Sequence, residues 1–187
     1  MKNRSIRRDF LTTAGLAMVG VGAASALWPL FRQGSPNPGT VSPPSVTVDL
    51  AGIAPGQAAL VKWNGVPVFV RHRTPEEIAL CRAVTADKLF DALARNPMVA
   101  ATAPATDGNR SNALHPQWVV VVGVCTHDFC VVRVADDSTR RAPDDGWYCP
   151  CNGTRYDLAG RLRTGPGSTN LPIPPHKFED KRWLHIG

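Results

Sequence analysis

The sequence predicts a mainly β domain carried on one N-terminal membrane-spanning helix. Three observations carry that expectation. Seventeen prolines and 16 glycines mark a turn-rich chain rather than a helical one. From Ser45 onward, short segments of alternating or continuous apolar character read as strands. Ahead of them, Phe10 to Phe31 contains no charged residue. At a rise of about 1.5 Å per residue that stretch suffices for a hydrocarbon core of roughly 30 Å.

The 187 residues allow one domain of ordinary size plus an anchor. The net charge of +6 is concentrated at the start, where Lys2, Arg4, Arg7, Arg8 and Arg32 face only Asp9. The remainder is close to balanced. No basic stripe with interleaved aromatics occurs, which argues against a nucleic-acid partner.

Arg7-Arg8-Asp9-Phe10-Leu11 has the pattern of a twin-arginine export signal. Basic residues precede the apolar span, so the N-terminus (1–9) is expected in the cytoplasm and the domain outside, in the periplasm of a bacterial inner membrane. Residues 10–31 form the expected single-pass anchor. Ala24-Ser25-Ala26 would also serve a signal peptidase, the alternative being cleavage. Retention is favoured by Trp28-Pro29-Leu30-Phe31, an interfacial aromatic pattern.

Residues 32–44 read as a hinge linker, with GSPNPGTVSPP over 34–44 too rich in Pro, Gly and Ser to join a core. The domain follows over 45–187. Ser45 to Leu50 alternates as a strand. Ala58 to Trp63 and Val66 to Arg71 flank Asn64-Gly65, the favoured pair of a two-residue hairpin. Thr74 caps a helix that opens on Pro75-Glu76-Glu77 and runs to about Ala83. Asp87 to Arg95 reads as a second short helical piece and Pro97 to Asn112 as loop. Gln117 to Val124 is a valine run of the kind buried on both faces, ending at Cys125. No internal repeat is present.

Two cysteine boxes carry the chemistry. The first is Cys125-Thr126-His127-Asp128-Phe129-Cys130, and the second is Cys149-Pro150-Cys151-Asn152-Gly153-Thr154-Arg155-Tyr156. The fifth cysteine, Cys81, falls in the expected helix and reads as a small buried apolar residue. In an exported protein four cysteines can make two structural disulfides. His127, two residues from Cys125, and the turn formers in both boxes point instead to a metal. Cys125, His127, Cys149 and Cys151 would form a valid Cys3His zinc set.

The boxes resemble those of the Rieske iron–sulfur subunits of ubiquinol–cytochrome c reductase, the cytochrome bc complex. A Rieske [2Fe–2S] centre takes two thiolates on one iron and two imidazoles on the other. The resemblance extends along the chain: the twin arginines, Val61 to Phe69, Arg73-Thr74-Pro75-Glu76-Glu77, Gly146 to Cys151, Tyr156 to Arg161, and Gly165-Pro166-Gly167-Ser168-Thr169-Asn170-Leu171-Pro172 in the place of a proline loop. It implies a Rieske-type β-sandwich with a cluster-binding subdomain at about 124–157 and the proline loop at 165–175. By position, Cys125 and Cys149 would hold one iron and His127 the other, with Cys130 and Cys151 forming a disulfide between the boxes. Thr154 would donate to a bridging sulfide and Tyr156 to a ligand sulfur, while Pro166 would help shield the cluster. His127 is the catalytic candidate, taking part in quinol oxidation. The implied activity is that of an electron-transfer subunit of an oxidoreductase, passing an electron from ubiquinol to a c-type cytochrome. The implied partners are cytochrome b and cytochrome c-type subunits within a dimeric membrane complex, with the linker allowing the domain to swing between them.

Three residues depart from the family pattern. Asn152 stands at the second imidazole position, and an amide oxygen is a poorer donor that cannot titrate as imidazole does. Asp128 replaces a Leu and is expected to put a charge at the docking tip. Phe129 replaces a Gly. The departures admit a second reading, a cluster-free paralogue with a structural or assembly role. His176, after the proline loop, is a candidate substitute ligand.

Overall fold

The computed structural model describes residues 9–14, 18, 28 and 45–187. Arg7, Arg8, most of the 10–31 span and the 32–44 linker lie outside the described residues. The chain divides into two units, 1–41 and 42–187. In the first, residues 9–14 are helical and the Thr13 hydroxyl donates to the Asp9 carbonyl at 2.8 Å. Among the described residues no helix is long and apolar enough to cross a membrane.

Among the described residues, the second unit has ten short strands in three antiparallel sheets. The first sheet sets β1 (Val46–Asp49) beside β10 (Trp183–Ile186), which also pairs with β9 (His176–Phe178). The second runs β2 (Ala58–Trp63), β3 (Val66–His72) and β4 (Trp118–Val122). Asn64 (φ 47°) and Gly65 (φ 79°) make the expected hairpin turn between β2 and β3. Helix α1 (Pro75–Ala83) starts at Thr74, whose side chain accepts from the Glu77 N–H while Glu77 returns a bond to the Thr74 N–H.

The valine run is buried on both faces, as its composition predicts. Val119 and Val121 pack with Phe69 toward the cysteine boxes. Trp118 and Val120 pack with Val68 and Val70 against Val48, Leu184 and Ile186 of the first sheet. The run is therefore the layer through which the boxes rest on the base of the fold.

The third sheet orders β5 (Arg133–Val134), β6 (Asp145–Tyr148), β7 (Arg155–Asp157) and β8 (Leu162–Thr164). Its pairing carries to Thr164, past the Asp157 boundary expected for the subdomain.

Two local expectations are corrected. Only Ala86–Lys88 forms a 3-10 turn where a helix was expected over 87–95. The rest is not helical, because Ala94 N–H donates to Ala103 O and Ala105 N–H to Ala92 O around a Leu93–Pro104 bridge, and Arg95 turns left-handed at φ 51°. The 97–112 loop contains a short helix, α2 (Asp107–Arg110). Thr106 caps it, and its buried Arg110 side chain donates to the carbonyls of Ala94, Ala159 and Leu171, so tertiary contacts hold a four-residue turn too short to be read from the sequence.

Candidate metal centre

Strand β4 delivers the chain to Cys125, and β6 delivers it to Cys149. The first loop closes on itself, with Cys125 N–H donating to Cys130 O at 2.8 Å and Phe129 N–H to Cys125 O at 3.2 Å. The second closes through Cys149 N–H to Thr154 O at 2.8 Å and Gly153 N–H to Cys149 O at 2.9 Å. A Cys130–Cys151 disulfide ties the loops together, its Cα atoms 6.5 Å apart. This is the pairing the resemblance implied. It rules out a zinc set that needs Cys151 as a free thiolate.

Cys125 and Cys149 remain free and fully buried. Burial works to raise the Cys125 thiol, yet the His127 backbone N–H, the Asn152 amide, the Cys149 thiol and the Tyr156 hydroxyl bring it below its ordinary value. Burial, with Cys125 as neighbour, pushes Cys149 up to about 11, against the N–H groups of Cys151 and Asn152. The two sulfurs thus sit in a cradle of N–H donors built by their own loops. At Cys125 the donors outweigh burial, whereas at Cys149 burial outweighs them.

His127 is exposed at the tip of the first loop. Asn152 is half-buried and turned inward. Its Oδ1 accepts from Thr154 N–H at 2.8 Å. Its Nδ2 reaches Cys125 Sγ at 3.5 Å and Asp128 Oδ2 at 3.0 Å. Asp128 Oδ1 accepts from Cys130 N–H at 3.3 Å and lies 3.6 Å from Cys149 Sγ. The carboxylate expected to confront a docking partner is instead folded back across the two boxes. Phe129 takes the outward place, 80% exposed and at a left-handed φ of 60°.

The loop at 165–172 closes a third side. A Cβ at Gly165 would lie 2.6 Å from Thr154 Cα, and one at Gly167 would lie 2.8 Å from Thr154 Cγ2, so both glycines serve close approach. Pro166 itself is exposed. Thr126, which sequence reasoning passed over, stitches this loop to the first box. Its Oγ1 donates to Thr169 O at 3.0 Å, its carbonyl accepts from Ser168 Oγ at 2.9 Å, and it lies 3.0 Å from the Tyr156 hydroxyl. The Tyr156 hydroxyl also points at Cys125 Sγ, 3.7 Å away. A threonine after a cysteine carries no signal of its own, so nothing local marked it.

Thr154 Oγ1 is buried and has no hydrogen-bond partner in the protein. A buried hydroxyl is seldom left unpaired. It lies beside the 165–172 loop, 2.9 Å from where a Cβ on Gly165 would sit. Two free thiols in an N–H cradle and one orphaned hydroxyl fit an iron–sulfur group on the thiolate side. His176 is elsewhere: it lies on β9, its ring edge-on to Phe178 and Nδ1 3.0 Å from Pro174 O. Cys81 is buried in α1, where burial pushes its thiol up to about 12.

Fold and site together define a Rieske-type scaffold: a β base presenting two disulfide-tied cysteine loops. A family model described as "Ubiquitinol-cytochrome C reductase Fe-S subunit TAT signal" matches residues 2–37. The chain is 40% identical over its whole length to the Ubiquinol-cytochrome c reductase iron-sulfur subunit of Rickettsia felis, covering 96% of that relative. It is 43% identical to the subunit of the same name from Rhodospirillum rubrum, over 98% of this chain and 92% of that one. A similar solved structure is a chain of "Hyperthermophilic respiratory Complex III", at 22% identity and a TM-score of 0.46 over 91% of this chain and 98% of that one. The protein belongs to the family of ubiquinol–cytochrome c reductase iron–sulfur subunits.

Proposed function

We propose that this chain is the electron-transfer subunit of a bacterial quinol–cytochrome c reductase, holding a [2Fe–2S] cluster at the tip of its third sheet. The observation that carries the reading is the pair of buried free thiols, Cys125 and Cys149, under N–H donors in loops tied by Cys130–Cys151. When bound, the cluster supplies one-electron transfer. The protein's residues do the rest. Cys125, Cys149 and His127 would hold the cluster. Tyr156 and the loop N–H groups hold the sulfurs and favour the reduced state, and the Thr154 hydroxyl is free to donate to a bridging sulfide. Residues 165–172 keep water from the thiolate side. The exposed His127 imidazole is placed to hydrogen-bond a quinol hydroxyl. Cytochrome b, a c-type cytochrome and ubiquinol are the proposed partners in a dimeric complex. We read the twin-arginine pattern at Arg7 and Arg8 as an export signal and 10–31 as an anchor, with the domain in the periplasm.

A second reading rests on one observation. Asn152 and Asp128 already give both thiols hydrogen-bond partners without a metal. It describes a cluster-free paralogue. Iron and acid-labile sulfide counts on the full chain, purified from membranes with assembly intact, separate the two. Two irons and two sulfides per chain, with the low average g of a reduced Rieske centre, support the first. A folded, iron-free protein overturns it.

A further inference from the structure

We infer that Asp128, and not Asn152, is the fourth protein ligand of the centre, with Asn152 orienting its carboxylate. This rests on the cluster-binding reading above and concerns which side chains complete it.

Asn152 is disqualified by its own hydrogen bonds. The Thr154 N–H, 2.8 Å away, can be received only by oxygen, so that end of the amide is Oδ1. The end facing the boxes is therefore the NH2 group, which offers a metal no lone pair. It lies 3.0 Å from Asp128 Oδ2 and 3.5 Å from Cys125 Sγ, where it acts as a donor to both. An imidazole at this position would ligate. This amide supports its neighbours instead.

Asp128 has what Asn152 lacks. Its carboxylate oxygen lies with the sulfurs of Cys130, Cys149 and Cys151 in a group whose ligand atoms are all within 4.8 Å of one another. Cys130 and Cys151 are bonded to each other, which leaves Asp128 and Cys149 as the free donors. The carboxylate makes no ion pair with Lys, Arg or His among the described residues, and its partners are the Cys130 N–H, the Asn152 amide and the thiols. Metal ligation makes both thiols anionic. Three anionic groups would then converge with no cationic side chain to offset them, an arrangement that calls for a cation between them.

The two departures are 24 residues apart in sequence, yet meet at 3.0 Å. One removes a neutral donor from the second box, and the other adds an anionic donor from the first, so the donor count stays at four: Cys125, Cys149, His127 and Asp128. A hard carboxylate oxygen is an acceptable ligand for iron. Exchanging a neutral imidazole for an anion stabilises the oxidised state, so the midpoint potential falls relative to a two-imidazole centre.

The test uses the full chain, purified in detergent with iron–sulfur assembly intact, beside Asp128→Ala, Asn152→Ala and the double variant Asp128→Leu/Asn152→His. Each is checked for the Cys130–Cys151 bridge by non-reducing mass analysis and for folding by tryptophan near-ultraviolet dichroism. Nitrogen hyperfine couplings, the midpoint potential and the iron count are then read. The expected result is one strongly coupled nitrogen in the native chain, and two, with a higher midpoint, in the double variant. Asp128→Ala loses its iron, whereas Asn152→Ala binds it roughly tenfold more weakly. Two coupled nitrogens in the native chain, or full iron and an unchanged midpoint in Asp128→Ala, overturn the assignment and leave the cluster-binding reading standing. Absence of iron from the folded native chain overturns both.

Discussion

Arg161 Nε donates to Asp157 Oδ2 at 2.6 Å, and neither side chain is exposed at all. The pair sits where the third sheet turns back, and Arg161 also donates to the carbonyls of Cys81, Val84 and Ala105. One guanidinium therefore joins the end of α1 to the sheet that carries the second cysteine box. Removing Arg161 leaves Asp157 with only the longer contact to Arg163, 3.7 Å away, and breaking a buried pair costs up to about 3–5 kcal/mol. Arg161→Ala should lower the unfolding midpoint of the full chain by far more than Asp49→Ala, which breaks an exposed pair with Arg182. Equal losses from the two would show that Arg161 does not clamp the fold.

Gly165 and Gly167 let the 165–172 loop lie directly on Thr154. Gly165 also adopts φ +96°. Alanine at either position must displace backbone or Leu162, at about 1–3 kcal/mol by the usual cost of overpacking. Hydrogen exchange at Ser168 to Leu171 should accelerate in both variants while exchange in β3 and β4 stays slow. Unchanged loop protection would refute the close-packing argument.

Phe129 carries a bulky side chain on left-handed backbone, with its ring in water. Relief of that conformation is worth about 1–2 kcal/mol, and glycine's extra freedom in the unfolded chain takes back about 0.5–1 kcal/mol. Phe129→Gly should therefore raise thermal stability slightly, a result to be read by calorimetry. A fall in the melting temperature would mean the ring packs against something after all.

Partial burial works to raise the Asp91 carboxyl, but Arg95 and the N–H groups of Asn170 and Leu93 bring it below its ordinary 3.8. A folded-state value below the unfolded one gives stability that is present above about pH 4 and is lost as pH falls through the lowered value. Acid unfolding of the native chain should be steeper below about pH 4 than that of Asp91→Asn. Because Asn170 N–H donates to Asp91 Oδ2 at 2.9 Å, the 165–172 loop should loosen over the same range. Parallel acid curves for the two proteins would exclude this linkage.

Cys81 is free, fully buried and pushed up to about 12. Only the thiolate alkylates readily, so iodoacetamide should label Cys81 in the denatured chain and leave it unlabelled in the folded one. Peptide mass analysis decides the point, and labelling of the native protein would place Cys81 at a surface that the structure does not show.

Some of this was legible because the signals are short-range. Asn64-Gly65 specifies its hairpin, Thr74 to Glu77 specifies the helix start, and the valine run specifies a strand buried on both faces. Each rests on residues within about a turn or a strand length of one another. The course of 89–95 was not legible, because Ala94 N–H goes to Ala103 O and the Asn170 side chain donates to the carbonyls of Asp91 and Leu93 from 79 and 77 residues away. Helix α2 escaped notice because it is only four residues long: Thr106 caps it, but buried bonds from Arg110 to distant carbonyls hold it in place.

By itself the sequence determined the family and the two cysteine boxes, since these are matters of residue type and spacing. Only the tertiary structure decided what Asn152 and Asp128 do. The Thr154 N–H sets the amide's orientation, and the disulfide brings Asp128 to within 3.0 Å of that amide. A side chain's donor atoms acquire a role only when loops distant in sequence close around them, and no pattern along the chain encodes which end of an amide faces Cys125 and Asp128.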